Sequence, residues 1–332
     1  MKSMKKLVLV ALVLLASVIV LVGCDTNAGD TPSSTGGTTQ QPSSEGTGGT
    51  TQQPGSEGTG GSPMSVTLQD TDSDGYYEIG TADELYAFAA AVNGGKTTIN
   101  GELTSNIVVN ETVLDEQGKL SENVNFRPWT PIGNGDTPYT GIFDGAGCTI
   151  SGLYFNDTNA DYAGLFGFLG EGGSVQNLGV ENSYFCGGMY VGGVVGLNAG
   201  NVTNCYNTGA VSGTSVGSSC FVGGVVGYNK SDAAISNCYN TGSVSGTSEG
   251  SHCYVGGVVG YNDSQVTTCY YLSGKATGGI NGKDESGQAD GRDESFFEGE
   301  KMAEFLNDNQ EDSPWEYIIG KPAPTLKAFN KG

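Results

Sequence analysis

Three sets of side chains have the types and spacing to do chemistry: an acidic loop, a family of cysteines and a series of tyrosines. Asp70-Thr71-Asp72-Ser73-Asp74-Gly75 has the form D-x-D-x-D-G, and Glu78 follows at the ninth position. Oxygen ligands at alternate positions converge on Ca²⁺, and the glycine permits the sharp turn among them. Thr81 stands where an EF-hand would carry its bidentate Glu. The expectation is therefore a shorter loop in which Asp70, Asp72, Asp74 and Glu78 hold a structural calcium with help from elsewhere. The competing reading is a solvated acidic stretch.

Cys205, Cys238 and Cys269 share one position of an internal repeat, where the preceding copy has Leu178; Cys220 and Cys253 share another, aligned with Met189. Leu and Met as substitutes imply inward-facing apolar sites, so the thiols read first as small core hydrophobes. Disulfides between neighbouring copies are also compatible with an exported chain. Zinc is not expected: there is no C-x-x-C pair, and His252 is the only histidine. If Cys205 and its equivalents point inward, strand alternation sends Tyr206, Tyr239 and Tyr270 outward. That predicts an exposed aromatic ladder able to hold a glycan through ring–sugar contacts. Phe221 and Tyr254 form a candidate second ladder. Cross-coil packing and a protein interface are the alternatives.

The elements that must position these residues follow from repetition. Val191–Asn198 reads VGGVVGLN, and VGGVVGYN occurs at both Val222–Asn229 and Val255–Asn262; YAGLFGFL at Tyr162–Leu169 is a weaker copy. Each is followed by a second pattern: VQNLGVEN from Val175, VTNCYNTGAVSG from Val202, ISNCYNTGSVSG from Ile235 and VTTCYYLSG from Val266. Short apolar runs between Gly and Asn, with no 3.6-residue period, read as strands. A unit of roughly 30 residues with three short strands suits one coil of a parallel β-helix. Asn198, Asn229 and Asn262 then stack at one corner and bond along the axis. The fold class expected is all-β: a right-handed parallel β-helix of about five coils, the handedness taken from the usual chirality of parallel crossovers. A β-propeller, with four strands per 40–45 residues, fits less well.

Caps are expected at both ends, because open strand edges invite aggregation. Thr81-Ala82-Asp83-Glu84 has the form of a capping box, and Leu85, Phe88, Ala89 and Val92 then share one helical face up to Gly94-Gly95. Met302, Phe305 and Leu306 have helical spacing near the far end, followed by Trp315. These predict an N-terminal capping helix and a C-terminal helical cap, with their apolar faces in the core.

The first segment carries Lys2, Lys5 and Lys6, an apolar run from Leu7 to Val22, and Leu21-Val22-Gly23-Cys24. The run is short for a membrane span, an uncleaved N-terminal anchor helix being the alternative, and its end resembles the lipobox of bacterial lipoproteins. That resemblance implies cleavage before Cys24, acylation of its thiol, and anchoring to a bacterial membrane by lipid, with display on the cell surface. Residues 25–64 are almost wholly Thr, Gly, Ser, Gln and Pro, with TGGTTQQPSSEG at 35–46 recurring as TGGTTQQPGSEG at 47–58. Such a segment is a tether. The domain plan is thus 1–23 leader, 24–64 tether, 65–138 N-terminal cap and lead-in strands, 139–275 repeats and 276–332 C-terminal cap.

The VGGVVG blocks resemble the GLUG motif of bacterial surface proteins, including filamentous-haemagglutinin-like adhesins and the repeat region of IgA-specific metallopeptidases. DTDSDGYYEIGTADELYAFAAAVNGG, WTPIGNGDTPYTGIFDGAGCTISGL and PAPTL resemble the flanks of such repeats. The resemblance implies architecture and surface display more than any one activity. Peptidase chemistry of that group needs H-E-x-x-H, which a single histidine cannot supply. β-Helix lyases and hydrolases need clustered carboxylates or a basic residue on a groove. From 175 to 272 the acids are Glu181, Asp232, Glu249 and Asp263 and the only base is Lys230, without shared register; Asp144 stands alone. No catalytic site is expected.

Composition closes off other classes. Of 332 residues 56 are Gly, and 36 acids against 14 Lys plus Arg give a net charge of −22, or −25 once the leader and its three lysines are removed. Nucleic acid is excluded as a partner, because phosphate binding needs clustered cations. The function expected is adhesion or binding of a glycan or protein, with a glycan-processing enzyme or a purely structural spacer as alternatives.

Overall fold

The computed structural model describes residues 66–122, 125–308 and 310–328. The leader at 1–23, the Cys24 lipidation site and the 24–64 tether lie outside the described residues. Among those described, no helix is long and apolar enough to cross a membrane.

The repeats form a parallel β-solenoid with four strands to the coil, where the sequence suggested three. One coil runs Ser174–Glu181, Tyr184–Gly187, Tyr190–Gly192 and Val195–Asn198; the next runs Asn201–Asn207, Ala210–Val216, Cys220–Gly223 and Val226–Asn229. The extra strand arises because VGGVVG is not one strand but two, folded about its central glycines. Gly193 shows why: a Cβ there would come within 2.4 Å of the Gly224 carbonyl oxygen and the Asn207 carboxamide carbon. Only glycine lets the chain turn so close to its neighbour. Three sheets hold four parallel strands each, and the fourth sheet extends past them at both ends, from Tyr76–Ile79 to Ala289–Arg292. Four coils are complete, and Gln265–Thr267 with Cys269–Leu272 begin a fifth.

Equivalent residues stack in register. Val175, Val202, Ile235 and Val266 line the interior as one fully apolar ladder. Leu178, Cys205, Cys238 and Cys269 line it as another, and all four are buried. The cysteines therefore pack as small hydrophobes, and Cys205, Cys238 and Cys269 are free thiols. Cys220 and Cys253, also in register, form a disulfide across adjacent coils with a Cα–Cα separation of 4.5 Å. At one corner Asn198 Nδ2 donates to Asn229 Oδ1, and Asn229 Nδ2 to Asn262 Oδ1, each at 2.8 Å. A second amide ladder joins Asn207 to Asn240 at 2.9 Å. The Asn of N-C-Y has a separate task, since Asn177, Asn204 and Asn237 all adopt left-handed φ near 53°, a conformation that Asn tolerates better than other side chains.

Helix α1 (Ala82–Asn93) closes the N-terminal end. Thr81 Oγ1 accepts the Glu84 N–H, while Glu84 Oε2 accepts from Gly80 N and Thr81 Oγ1. Its buried residues are Leu85, Phe88, Ala89 and Val92, the face read from spacing. Beyond it, Pro128, Ile132 and Tyr139 bridge to Tyr154, Phe166 and Leu169 and cover the first coil. The C-terminal segment contains α2 (Glu294–Phe297) and α3 (Glu300–Leu306) and does not sit over the end of the solenoid alone. It folds back along the side, where Met302, Leu306, Trp315 and Leu326 form their own buried cluster. Phe305, expected in that core, is half exposed, because Met302, Ala303 and Leu306 already supply the inward face of a seven-residue helix.

Candidate functional site

Local sequence positions the acidic loop against a rigid sheet. Glu78 lies in the Tyr76–Ile79 strand, paired with Asn100–Leu103, so its backbone is fixed. The turn before it uses left-handed Ser73 (φ 63°) and Gly75 (φ 91°). Asp70, Asp72 and Glu78 each bring one carboxylate oxygen to within 4.8 Å of the others. Asp70 Oδ2 accepts the Gly75 N–H, and Asp72 Oδ1 accepts the Asp74 N–H, both at 3.2 Å. Glu78 Oε1 accepts from Thr71 N and Thr71 Oγ1 at 2.7 and 2.6 Å, and these bonds hold its carboxyl below the usual range. Its Oε2 is buried with no hydrogen-bond partner among the described residues. Asp74, the remaining expected ligand, is not in the group; its Oδ1 accepts the Tyr76 N–H instead. Three anionic oxygens with one orphaned lone-pair site fit a hard divalent cation better than they fit one another.

The Tyr206–Tyr239–Tyr270 ladder forms but is not a surface. Tyr206 and Tyr239 stack with centroids 4.9 Å apart and planes 5° from parallel. They leave the coil outward, as alternation requires, yet are only 2%, 1% and 7% exposed in chain order. Trp315, Phe297, Met302 and Leu326 roof them. Their polar ends are consumed as well: Tyr206 Oη donates to Glu181 Oε1 at 2.5 Å and Tyr239 Oη to the Pro324 carbonyl at 2.6 Å. Burial pushes both phenols well above their ordinary range. The expected exposed ligand ladder is thus a packing ladder. Repeat spacing could not show that a segment about 85 residues later folds back over it.

The second ladder, seen in the sequence only as Phe221 and Tyr254, is longer. Tyr162, Tyr190, Phe221 and Tyr254 stack at 5.4, 5.4 and 5.3 Å. A parallel file across the glycine corner adds Phe168, Tyr228 and Tyr261, with Leu197 in the same register. The files touch through Tyr162–Phe168, Phe221–Tyr228 and Tyr254–Tyr261. All seven rings are half-buried. Tyr228 Oη donates to Asp263 Oδ2 at 2.6 Å, which pushes that phenol up to about 12. Asp161 stands beside Tyr162 and Tyr190, and Asp136 beside Tyr162.

Three further acids are engaged within the fold. Asp144 accepts from Gln176, Asn177 and the Ala146 N–H, Glu181 serves Tyr206 and Asp263 serves Tyr228. Each of these three carboxylates is thus committed to a hydrogen bond within the fold.

The GLUG motif matches residues 187–212 and 219–245. Halomucin of Haloquadratum walsbyi is 31% identical over 174 residues, 48% of this chain and 2% of its own length. A protein of Evansella cellulosilytica provisionally named a Gly-rich membrane protein is 37% identical over 79 residues, 23% of this chain and 9% of that one. The chain thus corresponds to a small part of either relative. A crystal structure from Bacteroides ovatus, provisionally named an immunoglobulin A1 protease, aligns over 76% of this chain and 93% of its own with 17% identity and a TM-score of 0.47.

Proposed function

We propose that this GLUG-repeat protein is exported, lipidated on Cys24 and displayed at the cell surface as a non-catalytic β-solenoid for adhesion or ligand binding. The observation that carries the reading is the long aromatic and hydroxyl-bearing side of the solenoid, flanked by Asp136, Asp161 and Asp263. The names of the two relatives support it, halomucin and a provisionally named Gly-rich membrane protein. The leader, its terminal Cys24 and the polar tether supply the route and the reach. The test is metabolic acyl labelling of the full chain and of Cys24→Ala, with protease shaving of intact cells and an adhesion assay. Label lost in the variant, shaved protein in the wild type and adherence above cells lacking the chain are expected. Label retained in Cys24→Ala, or protein protected from shaving, would refute the anchoring and display.

A structural calcium held by Asp70, Asp72 and Glu78 is the second part of the proposal, supported by the orphaned Glu78 Oε2. When bound, the ion would neutralise three carboxylates where the tether enters the folded region.

A further inference from the structure

The two aromatic ladders differ in what happens to their hydroxyls. In the closed ladder, Tyr206 and Tyr239 each donate to a protein acceptor under the Trp315 roof. On the open face Tyr228 alone donates to a carboxylate. The hydroxyls of Tyr190, Tyr254 and Tyr261 reach water and have no hydrogen-bond partner among the described residues. Near-parallel stacking at 11° and 3° means that the faces of Tyr190, Phe221 and Tyr254 are turned toward one another along the axis. Their edges and hydroxyls are therefore what a ligand meets. Rigid Tyr side chains offer such contact at small entropic cost.

We propose that this open aromatic face binds an uncharged polysaccharide laid along the solenoid axis, its hydroxyls bonded by Tyr190, Tyr254, Tyr261 and the flanking Asp161. The proposal rests on the surface-binding reading above and names its site and ligand class. Ring centroids repeat every 5.3–5.4 Å up the ladder, a length of the same order as one pyranose unit, so a linear chain would meet a ring edge at each coil, with the hydroxyls of Tyr190 and Tyr254 two coils apart because Phe221 lies between them. Carboxylates accept from sugar hydroxyls and repel uronates, sialates, sulfated chains and anionic lipid head groups. A protein partner would seek a broad desolvated apolar centre, whereas every ring here is already half-buried against its neighbours.

The test is affinity electrophoresis of the full chain in gels containing hydroxyethylcellulose, xyloglucan, xylan or galactomannan, with polygalacturonate as the anionic comparison. At least one uncharged polymer is expected to retard the wild type. The triple variant Tyr190→Phe/Tyr254→Phe/Tyr261→Phe keeps the stack and removes the hydroxyls. It should bind at least tenfold more weakly, since each lost hydrogen bond contributes severalfold, at unchanged Tm. A purely structural ladder would leave the binding of that variant unaltered. The inference is overturned if no uncharged polymer retards the folded wild type, if only polygalacturonate does, or if the variant binds equally well. It is also overturned if the variant converts a dimer into a monomer, which would make a second copy the occupant. Overturned while adherence persists, the site assignment alone falls; if adherence is absent too, the surface-binding reading falls with it.

Discussion

Tyr206 shows how one side chain is read correctly in direction and wrongly in surroundings. Alternation sent it outward, and it does leave the coil, but its ring lies over Gly179, where an added Cβ would approach the ring within 2.4 Å. Tyr206→Ala should cost about 3–5 kcal/mol, the range for deleting a buried aromatic. Tyr206→Phe should cost about 1 kcal/mol for the lost bond to Glu181; both are measurable by urea unfolding. The same burial sets an alkaline limit. Unfolded tyrosines lose their protons near pH ~10, while buried Tyr206 and Tyr239 keep theirs. The native state then binds more protons than the unfolded one. Stability is complete below that pH and falls above it, by up to about 1.4 kcal/mol per pH unit for each ring. Urea midpoints at pH 8, 10 and 11 should decline, less steeply in Tyr206→Phe; a flat profile would mean the rings titrate while folded. Glu78 is tested separately: calcium should raise the Tm of wild type and not of Glu78→Gln, with chelator reversing the gain. Equal Tm with and without calcium would leave the loop a solvated turn.

At the scale of elements, the repeats were readable because each position recurs. Asn198, Asn229 and Asn262 could be placed at one corner from their spacing, and their amide chain is there. Leu85, Phe88, Ala89 and Val92 were readable because one helix carries its own start, stop and face. Two things were not. The VGGVVG block looks apolar throughout, and its division into two strands is dictated by backbone contacts between coils, such as Gly193 on Gly224. The fold-back of the C-terminal segment depends on a non-local match between Trp315 and the stacked tyrosines, for which no local pattern exists. That segment should behave as a clamp on the solenoid's side. Truncation after Arg292 would expose the Tyr206–Tyr239–Tyr270 ladder, and such contiguous apolar patches promote association. The truncated chain is expected to bind a hydrophobic dye strongly and to elute as aggregates; a monomer without dye binding would show that the clamp is dispensable.

Across the whole molecule the two ends are protected unequally. The first coil is covered by α1 and by the bridges from Pro128, Ile132 and Tyr139. At the other end Ala289–Arg292 extends only one sheet; residues 278–281 run along Gly257–Val259 through backbone hydrogen bonds, and Val244 N donates to the Lys275 carbonyl. Thr247–Glu249 and Cys253–Val255 have no strand paired beyond them among the described residues. An open edge of this kind frays first and templates unwanted pairing. The Cys220–Cys253 disulfide lies at this place, joining the outermost strand Cys253–Gly256 to Cys220–Gly223 beneath it. Its closed loop spans 33 residues, for which loop-closure entropy alone gives a stabilisation of about 3–4 kcal/mol. In a stacked array that constraint acts mainly on the terminal coil, because each coil contacts only its neighbours. Reduction, or Cys220→Ser with Cys253→Ser, should therefore accelerate amide exchange across 244–256 by more than tenfold while leaving α1 and the Ser174–Glu181 strand unchanged. Uniform acceleration from end to end would instead mean that the solenoid opens as one cooperative unit and that the bond stabilises the whole of it.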